Sequence, residues 1–227
     1  MYFARPHRAC IAALVVLAAV GVAALTIPSG PLGVDSAWSE WMTDLRSPTL
    51  DDIALVFNAI GHGIVRALTL IAVGAVLLWL RRWHALVAFA VVEAAAPALS
   101  TLLKFAVDRP RPPLARISPS GASFPSGHAV YAAATCVALV VLFTRPGLRR
   151  RLWWLAAAAV TAAMAWSRTY LQVHWLSDVV AGAMLGAGVA FVVFGSVRSA
   201  RHEPVRRDLA PLVDGDPRVL TVPRQHG

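Results

Sequence analysis

Long apolar runs without charge are the feature of this chain that most limits how it can fold. A helix needs about 20 mostly apolar residues to cross a hydrocarbon layer roughly 30 Å thick. Residues 9–27 and 179–197 come close to that length and contain no charged side chain. Because helices that are apolar all round are buried in a large core or in lipid, both runs predict membrane spans.

Four further runs extend this pattern. Residues 85–103 are equally long but contain Glu93 and Pro97, which a helix tolerates when neighbouring helices satisfy the carboxyl group and the freed carbonyl. Three shorter runs need their polar flanks to complete a crossing: residues 67–80, 129–144 and 152–166. The sequence therefore predicts an all-α fold, a bundle of six transmembrane helices, in which Glu93 is protonated or hydrogen-bonded.

The composition excludes several other classes of protein. At 58% hydrophobic and 15% charged residues, the chain is too apolar for a soluble domain or for extended disorder. Cys10 and Cys136 both lie in apolar runs and do not indicate a disulfide-stabilised secreted fold. The net charge of +9 comes from basic residues that flank the apolar runs instead of forming one patch. No nucleic-acid partner is therefore predicted.

The distribution of Lys and Arg predicts the orientation in the membrane. With six spans, most of the 21 basic residues fall on the side that holds both termini. Because cytoplasmic loops hold an excess of Lys and Arg, this side is predicted to be cytoplasmic. The Arg- and Ala-rich composition is compatible with a bacterial source, so the predicted location is the bacterial inner membrane.

The ends of the chain suggest further divisions. A cleavable signal peptide is an alternative for the first run, but the run exceeds the usual apolar region of about 7–15 residues, and residues 28–31 offer no small-residue cleavage site. Residues 34–63 mix tryptophan with acidic residues and predict one or two short interfacial helices. Residues 199–227 are polar and predict a disordered, basic cytoplasmic tail after a membrane domain of residues 1–198.

The first of three polar clusters at helix ends contains Lys104 and Arg111. A continuing helix would place both side chains on one face, although Pro110 favours an extended last turn. Snorkelling cations and helix-stopping prolines explain this pattern as well. Two converging cations are also how proteins bind an anion.

The second cluster is Phe-Pro-Ser-Gly-His at residues 124–128, just before the fourth apolar run. Ser126 is placed to cap a helix, and Gly127 allows a ligand to approach the free N–H groups of the first turn. His128 would project from that turn. An ordinary cap with a surface histidine is the alternative, but a spare imidazole is unusual where a helix enters a bilayer.

The third cluster joins the fifth and sixth apolar runs. His174 and Asp178 are four residues apart, the spacing at which two side chains share a helix face. A carboxylate that holds one imidazole nitrogen makes the other more nucleophilic. Alternatively, Asp178 caps the last helix and His174 is an interfacial residue. Counting spans places all three clusters on the outward side, which isolated caps and flanking residues do not explain.

These clusters together resemble the type 2 phosphatidic acid phosphatase family. Its tripartite signature is matched in order by Lys104-x6-Arg111-Pro, by the Pro-Ser-Gly-His of residues 125–128, and by Ser-Arg168-x5-His174-x3-Asp. The resemblance covers roughly residues 50–195. It implies a six-helix membrane core, metal-independent phosphoester hydrolysis and a phosphohistidine intermediate.

The resemblance also implies roles for individual residues. His174 is the nucleophile, Asp178 its orienting partner, and His128 the acid that protonates the leaving oxygen. The phosphate-binding residues are Lys104, Arg111, Ser126, Gly127 and Arg168. Arg109 duplicates the Arg-Pro step and competes with Arg111 for the anion, but the spacing favours Arg111.

Physical arguments about the reaction agree with these roles. Phosphoryl transfer needs positioning and charge neutralisation more than covalent chemistry, so cations, a helix N-terminus and one nucleophile are sufficient equipment. The outward side lacks the carboxylate–histidine cluster that a two-metal phosphatase would use, so no metal and no cofactor are predicted. Oligomeric state is not readable from the sequence.

The predicted function is hydrolysis of a lipid phosphate at the outer leaflet. A polyprenyl (undecaprenyl) diphosphate is the favoured substrate, because a spent carrier of that kind appears outside the cell. In that case Arg46, Arg109 or Arg116 could contact the second phosphate, and the alternative for each is a solvated loop charge. Phosphatidic acid and phosphatidylglycerol phosphate remain alternatives, as does transfer to an acceptor other than water. A non-catalytic lipid-phosphate binder or flippase would need an eroded nucleophile or acid, and a soluble haloperoxidase is excluded by the spans.

Overall fold

The computed structural model describes residues 6–61 and 63–213, with side chains described for residues 9–61 and 63–197. Over this part of the chain the secondary structure is entirely helical. The eight helices of the described residues are α1 (Pro6–Thr26), α2 (Gly33–Asp44), α3 (Pro48–Ile60), α4 (Gly63–Trp79), α5 (Trp83–Val107), α6 (Gly127–Phe143), α7 (Leu148–Tyr170) and α8 (Leu176–Val213). The predicted all-α fold is confirmed.

Each of the six apolar runs coincides with a helix, namely α1 and α4 to α8. Within the described residues, three helices are long and apolar enough to span a membrane by themselves: α1, α5 and α8. A fourth span results if α3 and α4 are taken together, whereas α6 is apolar but short. The count of six spans therefore stays a prediction.

Helix α6 lies at the centre of the bundle, against α5, α7 and α8. It approaches α8 closely because α8 carries glycine at the crossing. A Cβ added to Gly186 would lie 2.2 Å from the carbonyl oxygen of Val130, and one added to Gly182 would lie 2.6 Å from that of Ser126. Small residues at helix crossings are typical of membrane bundles, where van der Waals packing drives association.

Helices α2 and α3 occupy the segment for which short interfacial helices were predicted. They are joined to the end of α7 by polar contacts: Trp38 Nε1 donates to Thr169 Oγ1 at 2.9 Å, and Tyr170 donates its hydroxyl proton to Asp51 at 2.9 Å. Met42 and Ala54 are buried against the same helix end. The two helices therefore form a cap over the end of α7 that precedes the third polar cluster.

Two other expectations concern Glu93 and the tail. Thr135 Oγ1 donates to Glu93 Oε1 at 2.8 Å, so the carboxyl group is hydrogen-bonded inside the bundle as expected. The predicted start of the tail at residue 199 falls within α8, which runs to Val213. The rest of the predicted tail, residues 214–227, lies outside the described residues.

Candidate active site

The three polar clusters meet where α5 ends and where α6 and α8 begin. Helix α5 ends at Val107, and Asp108 adopts a left-handed conformation with φ 42° that turns the chain out of the helix. Lys104 therefore remains on the last turn of α5, whereas Arg111 extends from the following loop. This differs from two cations on one continuous helix face, because the helix stops before Pro110.

Lys104 and Arg111 nevertheless converge. Lys104 Nζ donates to the carbonyl oxygen of Ala122 at 2.5 Å, and Arg111 Nη2 donates to the same oxygen at 3.2 Å. Further bonds to the carbonyls of Ser120 and Gly121 hold the Arg111 guanidinium in place. The 120–122 loop thus brings two cations together, as binding of one anion requires.

Arg111 also contacts the predicted nucleophile. Its Nη1 lies 3.2 Å from His174 Nε2 and donates to the carbonyl of Val173 at 2.6 Å. Because a guanidinium can only donate, Nε2 of a neutral His174 must present its lone pair, and the imidazole proton is assigned to Nδ1. Nδ1 lies 3.6 Å from Asp178 Oδ2. The Nε2 lone pair therefore faces the cations, and the Nδ1–H faces the carboxylate.

His174 is 5% exposed and lies in the turn between α7 and α8. Burial, together with the positive charges of Arg111 and Lys104, lowers the pKa of His174 to about 4, and Asp178 opposes the shift. Burial likewise lowers the pKa of Arg111, against the attraction of Asp178. The imidazole is consequently neutral near pH 7, the state that a nitrogen nucleophile needs.

Asp178 both caps α8 and faces His174. Its Oδ2 accepts from the backbone N–H of Trp175 at 2.9 Å and from the hydroxyl of Ser123. The bond from the N-cap residue to the third helical residue is half of a capping box. His174 lies just before the helix, so the two side chains meet through this cap and not along a continuous helix face. Asp178 therefore combines the two alternatives that its sequence position left open.

Arg109 has a different position from the one considered in the sequence. It is fully buried, with Nη1 2.7 Å from Asp178 Oδ1 and Nη2 2.8 Å from Asp35 Oδ2. Asp35 also accepts from the backbone N–H of Ser177 at 2.8 Å and so adds a second cap to α8. Arg109 is therefore committed to two carboxylates and does not compete with Arg111 for an anion.

Arg168 and His128 share a neighbour on α3. Arg168 Nη1 donates to the side-chain oxygen of Asn58 at 2.7 Å, and His128 Nε2 lies 3.4 Å from the Asn58 carbonyl oxygen. Gly61 packs on the same imidazole, since a Cβ there would lie 2.3 Å from His128 Cδ2. The end of α3 thus positions Arg168, a predicted phosphate-binding residue, and His128, the predicted acid.

The first turn of α6 provides the remaining groups. Ser126 is its N-cap residue, and the Ser126 N–H donates to the carbonyl of Asp178 at 3.0 Å, which joins the starts of α6 and α8. Gly127 leaves open space where a Cβ would be. Ser126 Oγ and Arg168 Nε are buried without a hydrogen-bond partner in the described part of the chain. These groups have capacity for a ligand that a helix N-terminus favours when it is anionic.

Three residues that were not among the predicted site residues complete this arrangement. Asp35 and Asn58 belong to α2 and α3, and Ser123 to the loop before α6. The sequence does contain an indication for Asn58, because an amide is unusual within the apolar end of α3. The indication for Asp35 is weaker, since it is only an acidic residue in a first helical turn. Among the described residues, no group of three or more His, Cys, Asp or Glu side chains is arranged to hold a metal ion.

Known proteins share both sequence and fold with this chain. Phosphatidylglycerophosphatase B of Bacillus subtilis is 28% identical over 167 residues, which cover 71% of this chain and 82% of that protein. Undecaprenyl-diphosphatase of Sulfolobus acidocaldarius is 33% identical over 89 residues, 39% of each chain.

Solved structures extend the likeness to the fold. The crystal structure of a transmembrane PAP2-type phosphatidylglycerolphosphate phosphatase from Bacillus subtilis matches 88% of this chain and 98% of its own, with a TM-score of 0.67 and 25% identity. Aquifex aeolicus LpxE matches 72% of this chain and 96% of its own, with a TM-score of 0.53 and 22% identity, and shares the fold. A family model described as the PAP2 superfamily matches residues 85–201. Because the matched residues make up more than half of this chain, the chain belongs to the PAP2 superfamily.

Proposed function

We propose that this protein is an integral membrane lipid phosphatase that works through a phosphohistidine on His174. The contact between Arg111 Nη1 and His174 Nε2, at 3.2 Å, supports this most directly. A phosphate held by Arg111 and Lys104 would have its phosphorus next to the lone pair of a neutral imidazole. Family membership and the two phosphatases among the relatives support the same reaction class.

The reaction has two steps. His174 Nε2 attacks phosphorus, the bond to the leaving oxygen breaks, and protonated His128 donates its proton to that oxygen. Asp178 stabilises the positive charge that develops on the His174 ring. Neutral His128 then takes a proton from water as the water oxygen attacks phosphorus. The P–N bond breaks, its electron pair returns to Nε2, and inorganic phosphate leaves.

Charge neutralisation is the main contribution of the remaining residues. Lys104, Arg111 and Arg168 counter the negative charge on the transferring phosphoryl oxygens, and the Ser126 hydroxyl with the Gly127 amide donates hydrogen bonds at the helix N-terminus. None of these roles requires a metal ion.

For the substrate, we infer a lipid diphosphate of the polyprenyl class, with phosphatidylglycerol phosphate as the second candidate. The named activities of the two relatives favour these lipids over phosphatidic acid. The deciding measurement is kcat/KM for the three lipids in the same mixed micelles. A higher value for either glycerolipid would overturn the diphosphate assignment and leave the phosphatase proposal intact.

The proposed orientation has six spans, with both termini cytoplasmic and the active site outward. The positively charged turns support it. In a Cys-free background, single cysteines at Ser120 and Arg149 should react with an impermeant maleimide from opposite sides, Ser120 from outside. Labelling of both from one side would contradict six spans.

The proposed metal-independent phosphohistidine mechanism is tested with purified protein and a 32P-labelled lipid phosphate. Activity should persist in excess chelator, and an acid-labile phosphoprotein should form that His174→Ala abolishes together with turnover. Activity lost in chelator and restored by Mg²⁺ would contradict the mechanism. Lipid movement between leaflets without phosphate release would instead indicate the flippase alternative.

A further inference from the structure

Arg66, on α4, is a cation that is not among the predicted phosphate-binding residues. It lies near the first turns of α6, which carry the predicted acid His128. The guanidinium carbon of Arg66, on α4, is 4.8 Å from the centroid of the Tyr131 ring. Tyr131 follows His128 by three residues on α6, so the two side chains share a helix face one turn apart. Gly61, which packs on the His128 imidazole, precedes the start of α4 by two residues. Arg66 therefore lies beside the turn of α6 that follows His128.

Arg66 is held by this aromatic ring and not by an anion. Over residues 9–61 and 63–197, it forms no salt bridge within 4 Å and no side-chain hydrogen bond. Glu93 attracts it without direct contact. A cation in a membrane helix is costly unless it has a partner or a function. Stacking on a ring leaves the edge N–H groups of a guanidinium available for a phosphate.

The other outward arginines considered for a second phosphate are differently placed. Arg109 is occupied by Asp35 and Asp178, and Arg116 forms a salt bridge with Asp51 at 2.6 Å. Arg46 lies in the exposed turn between α2 and α3. Arg66 is the candidate whose ring partner, Tyr131, lies one helical turn from His128.

The position of Arg66 matters because the candidate substrates differ in the charge of their leaving groups. His128 must face the oxygen that leaves, so whatever is attached to that oxygen extends past His128. From a lipid diphosphate the leaving group is a lipid monophosphate, and from phosphatidylglycerol phosphate it contains a phosphodiester. From phosphatidic acid or a polyprenyl monophosphate it is a neutral alcohol. Only the first two place a negative charge beyond the acid.

We propose that Arg66 binds the phosphate of the leaving group and so selects lipids whose scissile phosphate is attached to a second phosphate-bearing group. The proposal rests on the proposed phosphatase function and deepens it. It identifies a specificity residue that lies outside the three signature motifs. Negative charge moves onto the leaving group as its bond to phosphorus breaks. Arg66 would therefore stabilise the transition state more than the bound substrate.

Two pairs of lipids with matched tails test the proposal. Polyprenyl diphosphate is compared with polyprenyl monophosphate, and phosphatidylglycerol phosphate with phosphatidic acid, using wild type and Arg66→Gln. The kcat/KM of the variant should fall roughly 10- to 100-fold on the diphosphate or on phosphatidylglycerol phosphate, as loss of a charge-assisted hydrogen bond implies. It should change little on the matched lipid with a neutral leaving group. The lipid of the two that shows the fall identifies the natural leaving group.

Arg46→Gln is the matched control, because it removes the same charge from an exposed outward position. Arg66→Lys keeps the charge but not the planar fork, so it should show a smaller fall on the same lipids. An equal loss on all four lipids, or no loss on any, would overturn the role of Arg66. Inactivity of the wild type on all four would overturn the phosphatase proposal and this one with it.

Discussion

Arg109 Nη1 lies 2.7 Å from Asp178 Oδ1, and neither side chain is exposed. Asp178 is therefore fixed on one oxygen by a cation and on the other by Ser123 and the Trp175 N–H, while Oδ2 also faces His174. Because Arg109 also binds Asp35, the position of Asp178 beside His174 depends on α2, far away in the chain. The orienting carboxylate is part of a buried charge network as well as of the proposed catalytic pair.

The first prediction concerns this network. Arg109→Met leaves two buried carboxylates without their cation, and breaking such a pair costs about 3–5 kcal/mol of stability. The apparent Tm in detergent should fall by roughly 10 °C, and turnover should fall with it. Arg116→Gln is the control, because it breaks a partly exposed ion pair worth at most about 1 kcal/mol. Equal effects of the two variants would contradict a buried network.

The second prediction is a shift of the acid limb of activity. The acid limb of kcat/KM reports groups of free enzyme and free substrate. His174 must be neutral to attack, and its pKa is about 4, lowered by burial and by the charges of Arg111 and Lys104. Removing either charge should raise this pKa. Lys104→Gln and Arg111→Gln should therefore move the acid limb to higher pH, in addition to lowering the plateau.

The substrate phosphate also titrates in this pH range, but its ionisation is the same for every variant. Differences between profiles therefore report the enzyme. Asp178→Asn removes a group that opposes the shift, so its acid limb should move to lower pH if the protein remains folded. Identical acid limbs for wild type and all three variants would show that His174 does not set this limb.

The sequence could predict the helices and the local part of the site. The length of the apolar runs and their lack of charge located all six apolar helices, and the His174–Asp178 spacing placed two interacting side chains together. Both depend on neighbours in the chain. The length of the runs does not fix the number of spans, because α6 is short and needs its polar flanks to cross a membrane.

Contacts between distant segments could not be predicted in the same way. The repeated Arg-Pro step made Arg109 a second candidate for the anion, and only packing of α2 against the start of α8 brings Asp35 to it. Asn58 reaches Arg168 because α3 packs on α7. A single sequence carries no record of which distant polar residues meet.

The third prediction tests Asn58 as a positioning residue for Arg168. Asn58→Ala should weaken phosphate binding modestly, since Arg168 loses a neutral acceptor. Asn58→Asp should be more harmful, because its carboxylate would pair with Arg168 and compete with the phosphate. The inhibition constant of inorganic phosphate measures this directly and should rise in the order wild type, Ala, Asp. A tighter constant for Asn58→Asp than for Asn58→Ala would exclude a role of Arg168 in phosphate binding.

The last prediction concerns Gly61, whose backbone lies against the proposed acid. A Cβ at this position would come within 2.3 Å of His128 Cδ2, so Gly61→Ala must displace the imidazole. The φ of Gly61 is −83°, which alanine adopts without strain, so the effect isolates the contact. Because general acid catalysis contributes about 10²- to 10⁴-fold, kcat on a lipid phosphate should fall by roughly 100-fold. Gly74→Ala is the control, since its Cβ would meet only Leu86 at an ordinary 3.7 Å.

The dependence on the leaving group separates this role from a general loss of structure. The alkoxide released from a phosphomonoester lipid needs a proton as its bond to phosphorus breaks, whereas the phenolate of an activated aryl phosphate leaves without one. Gly61→Ala should therefore lose far less activity on p-nitrophenyl phosphate than on phosphatidic acid, and His128→Ala should show the same selective loss. If Gly61→Ala lowers both activities equally, Gly61 supports the fold and not the acid, because a distorted phosphate cradle would slow both substrates alike.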